Sequence, residues 1–124
     1  EVELRYSLVP HAGFERAAVK RLSLETVRPM TAVPSSGDRP LPSSPLTISS
    51  DAIVVSALRP APGGSGWIAR LYNASGRPAT FDVKGAASVS TISISDADGN
   101  PLRPANGPIT LPSHGVVTLR LERR

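Results

Sequence analysis

The chain has 124 residues, no cysteine and a net charge of +4, which allows one domain with a modest core. Without thiols it has no disulfide, no thiolate metal site and no cysteine nucleophile, and no apolar run is long enough to cross a bilayer as a helix. Thirteen prolines and ten glycines against 4% aromatic residues predict many turns, little helix and a core of Val, Ile, Leu and Ala.

The missing cysteine fits a cytoplasmic protein without requiring one. Arg5, Arg39, Arg59, Arg77, Arg103 and Arg120 are spread one per segment, with no basic block interleaved with aromatics. They read as a solvated surface, so neither nucleic acid nor a membrane is an expected partner. The chain opens at Glu1 directly in an alternating pattern, with no signal-type stretch. The expectation is a fragment of a longer protein, cut just before a strand.

Val2, Leu4, Tyr6 and Leu8 alternate with polar residues, a strand pattern with one wet face that ends at Pro10-His11-Ala12-Gly13. Phe14, Ala18 and Leu22 recur at i, i+4 and i+8 and favour a short helix from about Phe14 to Leu24; a β reading of Val19 to Val27 competes. Residues 1–33 thus form an arm, the expected end of a preceding domain. Residues 34–45 are a Pro/Ser linker, and residues 46–124 an all-β domain.

In that domain Leu46 and Ile48 mark a short strand. The stretch Ile53 to Tyr72, IVVSALRPAPGGSGWIARLY, is two apolar runs joined by a Pro/Gly/Ser loop. Apolar residues on both faces suit strands at the centre of a sandwich. Phe81 with Val83, Ile92 with Ile94, Ile109 with Leu111, and Val117-Leu119-Leu121 give further strands. Asp98-Gly99 suits a type I′ hairpin turn. The predicted fold is mostly β: an antiparallel β-sandwich, immunoglobulin-like, with an N-terminal strand and short helix as its arm.

The order of Ser56-Ala57-Leu58-Arg59, a Gly-containing loop Pro60 to Gly66, Arg70-Leu71-Tyr72 and Gly76 resembles the C-terminal β-sandwich of the glycoside hydrolase family 38 α-mannosidases. Tyr6-Ser7-Leu8-Val9-Pro10-His11-Ala12-Gly13 is similar to that family's Tyr-x-Leu-x-Pro-His-x-Gly stretch, and Ile109 to Leu121 to its closing hairpin. Departures lie in the loops, at Ser113-His114-Gly115 and Ala61 to Gly66. The resemblance implies a retaining, zinc-dependent α-mannosidase as parent, with catalytic carboxylates and zinc ligands in an N-terminal domain outside these 124 residues. It implies no catalytic, cofactor or metal residue here. The other domains of the parent would be the partners, carbohydrate would be met through the whole enzyme, and the arm could self-associate. The Ala/Arg/Pro-rich composition suggests a bacterial source.

The residues themselves offer little chemistry. The acidic residues stand singly on outward faces or in turns, unlike the paired carboxylates of a glycosidase. His11 and His114 are two ligands where zinc needs three or four. Asp96-x-Asp98-x-Asn100 opens like a calcium loop, but Gly99 and Gly107 stand at the wrong positions for an EF-hand. Asn73-Ala74-Ser75 is a formal N-glycosylation sequon. Three residues stand out as contacts to carbohydrate or to neighbouring domains: His11, Trp67 and Arg70. Trp67 reads as packing or as a sugar platform; Arg70, between Ile68 and Tyr72, needs a carboxylate such as Asp82 or an exposed end. The alternative to an accessory domain is a stand-alone carbohydrate-binding or immunoglobulin-like interaction module.

Overall fold

The computed structural model describes residues 2, 3, 6, 8–28, 34, 37 and 44–124. Leu4, Arg5, Ser7 and most of the 34–45 linker lie outside them. Of the expected first strand, Val2, Glu3, Tyr6 and Leu8 are described; they are exposed and belong to no strand.

The chain then runs α1 (Arg16–Val27), β1 (Leu46–Ile48), β2 (Ile53–Pro60), β3 (Gly66–Asn73), β4 (Ala79–Phe81), β5 (Val83–Gly85), β6 (Val89–Ser95), β7 (Pro101–Pro104), β8 (Ile109–Leu111) and β9 (Val116–Arg123). One layer is a five-stranded sheet in the order β2-β3-β9-β6-β7. The other is made of two short pairs, β1-β5 and β4-β8. Every pairing is antiparallel. Between the layers lies one apolar cluster, with Ala69, Leu71, Leu119 and Leu121 from the large sheet and Leu46, Phe81 and Leu111 from the small pairs. Phe81, Leu71, Leu119 and Leu121 are fully buried, each burial stabilising the fold by roughly 1.5–3 kcal/mol. The expected antiparallel β-sandwich is the observed fold.

Several elements differ from expectation. β2 is an edge strand rather than a central one. Its second apolar face exists because α1 covers it: Ala17 packs with Val54 and Ala74, and Leu24 and Tyr72 flank them. The helix also turns a different face to the sheet than its i, i+4, i+8 stripe suggests. Ala17 is buried, whereas Phe14 is 67% exposed and Ala18 is exposed. Glu15 is the N-cap, with no side-chain cap bond.

The Phe81–Val83 run divides at Asp82, because β4 pairs with β8 and β5 with β1. Ile109 to Leu121 is no hydrogen-bonded hairpin: β8 and β9 lie in opposite layers, joined by a tight turn in which Gly115 N–H donates to Pro112 O at 2.9 Å. β7 was masked in the sequence by Pro101 and Pro104, which a sheet tolerates at its border, where their missing N–H groups are not needed.

The β6–β7 turn is not type I′ either, for only Gly99 has a positive φ, +97°. Gly99 N–H donates to Asp96 O and Asp96 N–H to Asn100 O, a turn closed by a left-handed glycine. The Asp96 carboxylate holds it from within. Its Oδ1 accepts from the N–H groups of Asp98, Gly99 and Asn100, and its Oδ2 from Asn100 Nδ2 at 2.8 Å. These bonds, that from the Asn100 side chain foremost, hold the carboxyl below the usual aspartate value.

Candidate functional site

The outward side chains of β3 are Ile68, Arg70 and Tyr72, and three different neighbours meet them. Over Ile68 lies the Asp96–Asn100 turn: a Cβ placed on Gly99 would come 2.1 Å from the Ile68 Cδ1. Two arginines fasten the turn to the sheet. Arg120 Nη1 donates to Gly99 O at 3.1 Å and Arg59 Nη2 to Asp98 O at 3.2 Å. Arg120 also reaches Ser65 Oγ at 2.8 Å and lies 3.4 Å from Glu122 Oε1. Over Tyr72 lies α1. Arg70, between them, is exposed.

Tyr72 is joined to the turn between β8 and β9. Its phenol oxygen is 2.7 Å from His114 Nδ1, and the two ring centroids are 6.0 Å apart with 26° between their planes. His114 has φ +61°, a left-handed conformation uncommon outside glycine and costing roughly 1 kcal/mol. The phenol bond and ring contact favour that conformation.

Next to Tyr72, Asn73 is fully buried and uses both ends of its amide. Nδ2 donates to the carbonyls of Arg77, Leu111 and Pro112 at 2.8, 3.2 and 2.9 Å. Oδ1 accepts from Ser75 N–H and Ser75 Oγ. The sequon is therefore a structural motif: its serine orients the asparagine, and the asparagine joins the β3–β4 turn to the end of β8. No face of the amide is open to a glycosylating enzyme in the folded chain.

The three residues singled out in the sequence are not brought together. Trp67 and Arg70 project from opposite faces of β3. Trp67 is half-buried and packs against the interlayer core. Arg70 is exposed beside Ala57 and Thr118 and makes no ion pair among the described residues. Asp82 is in the other layer, where its N–H donates to Ser49 Oγ at 2.9 Å. His11 is exposed on the arm, 6.3 Å from the Phe14 ring. It borders an apolar groove with Leu8, Val9, Ala18 and Leu22. No group of three His, Asp or Glu residues able to hold a metal occurs among the described residues. No described helix is long and apolar enough to cross a membrane.

Sequence reasoning missed the groove between α1 and the end of β3. It has a volume of about 570 Å³, within the roughly 300–1,000 Å³ of small-molecule sites. Phe14, Tyr72 and His114 supply aromatic surface, and Arg16 and Lys20 supply charge. The only local signal was the outward phase of Tyr72; His114 lies 42 residues further on.

The family model for the glycosyl hydrolases family 38 C-terminal beta sandwich domain matches residues 52–120. That span runs from the start of β2 into β9 and includes Tyr72, Asn73, the Asp96 turn and His114. No curated protein and no solved structure matches the chain.

Proposed function

The chain belongs to the glycosyl hydrolases family 38 C-terminal beta sandwich domains, and from that membership we propose that it is a non-catalytic accessory domain of an α-mannosidase. It packs against the other domains of a retaining, zinc-dependent parent enzyme of bacterial origin and shapes the rim of its carbohydrate cleft. The observation that carries this reading is the family match across most of the sandwich.

The packing surface is the stripe that α1 turns away from its own sheet. Ala18 and Leu22, with Leu8, Val9 and Phe14, line an apolar groove, and Leu8 and Phe14 are largely exposed. Such continuous apolar surface marks an interface. In the parent enzyme the preceding domain would cover it; in the isolated chain the same surface would favour self-association.

Two measurements test the proposal. The 124-residue chain alone is expected to release no nitrophenol from p-nitrophenyl α-mannoside, and zinc-dependent turnover by it would end the accessory reading. In the full-length parent, Ala18→Glu should lower thermal stability clearly, while changing the isolated chain by less than about 0.5 kcal/mol, as at an exposed helix position. An unchanged parent would remove the stripe from the interface.

A further inference from the structure

The groove between α1 and β3 combines two features. One wall is an aromatic surface, the hydrogen-bonded and nearly parallel rings of Tyr72 and His114, with Phe14 at the border. The facing wall carries Arg16 and Lys20, one helical turn apart, and Ser23 near them. Among the described residues neither Arg16 nor Lys20 has a hydrogen-bond or ion-pair partner, and no carboxylate lines this groove; Arg16 also lines the adjoining groove, together with Glu15 and Asp51.

We propose that this groove binds an anionic pyranose, a hexuronate unit whose ring lies against Tyr72 and whose carboxylate meets Arg16 and Lys20. An aromatic face offers the C–H face of a sugar ring a dispersion surface. A guanidinium matches a carboxylate through two parallel N–H donors, and an ammonium adds a point charge. In the tautomer whose Nδ1 accepts from the phenol, Nε2 carries the ring proton and is a donor for a sugar hydroxyl. A neutral sugar would leave both cations unmatched. An anion without a ring would leave the aromatic wall unused.

This goes beyond the packing role and does not depend on it. The sugar class draws on the family membership, whereas the requirement for negative charge draws on the groove alone. Phe14 and Val19 border both this groove and the apolar one, so the ridge between them is shared, but of these two only the first is lined by Arg16, Lys20, Tyr72 and His114.

The test is an NMR titration of the ¹⁵N-labelled chain with D-mannuronate, methyl α-D-mannopyranoside and acetate in parallel. Mannuronate is expected to move the amide resonances of Lys20, Tyr72, Ala74 and His114 with saturation in the millimolar range. The neutral glycoside should bind about tenfold more weakly, the effect of one charge-assisted contact, and acetate should give no saturable shift. Arg16→Gln/Lys20→Gln should weaken mannuronate at least about tenfold while keeping a dispersed spectrum, since both side chains are exposed. His114→Ala, at the opposite wall, should weaken it independently. Equal binding of the neutral glycoside, equal shifts with acetate, an unaltered response in the double variant, or no saturable shift with mannuronate would each overturn the proposal.

Discussion

Gly99 and Ile68 are in contact across two loops of chain: the glycine Cα lies over the isoleucine side chain so closely that an added Cβ would come 2.1 Å from its Cδ1. This contact, together with the arginines that hold the turn, buries Ile68 to 3% exposure on what would otherwise be the wet face of the sheet. Gly99→Ala combines a positive φ with a clash and should destabilise the chain by about 2–4 kcal/mol. Thermal unfolding measures it. Adding Ile68→Ala should recover part of the loss, and strict additivity of the two changes would show that the contact is not the cause.

Asn73→Ala should cost about 2–4 kcal/mol, because it leaves the carbonyls of Arg77, Leu111 and Pro112 without their shared donor in a buried place. Denaturant unfolding gives the value, and a loss near zero would contradict the geometry.

Asp96 contributes to stability on the acid side. Its folded carboxyl titrates below the ordinary value. Its contribution is therefore complete above the unfolded-state pKa, about 3.9, and fades as pH falls through the lower, folded value. Asp96→Asn cannot ionise. The wild-type chain should be the more stable near neutrality, and the difference should shrink as the solution is brought to about pH 3. A gap that widens in acid would reverse the sign of the argument.

Trp67 packs against the interlayer core. Its fluorescence should be quenched by acrylamide less than that of the unfolded chain. Trp67→Ala should cost about 3 kcal/mol, and Trp67→Phe clearly less. Quenching as efficient as in urea would place the indole in solvent and return it to the candidate sugar platforms.

Much of the sandwich was legible because strand alternation is local: Ile92-x-Ile94 and Val117-x-Leu119-x-Leu121 name their own inward faces. The helix was legible as an element but not in its rotation. Phe14, Ala18 and Leu22 make the stronger apolar stripe, yet the small side chain of Ala17 sits in the close approach of α1 to Val54. The division at Asp82 could not be read, since one continuous alternation serves two different partners. The Tyr72–His114 pair was hidden for the same reason: a contact between the end of one strand and a turn 42 residues later leaves no periodic mark.

The division at Asp82 also says how the smaller layer comes apart. β4 and β5 are separated by one residue, yet each holds a different short strand by a three-residue ladder. Neither ladder is long enough to persist by itself, and a backbone shift at Asp82 reaches both. The two pairs should therefore exchange their amide hydrogens as one unit, opening together or not at all, although no hydrogen bond joins one pair to the other in the sheet.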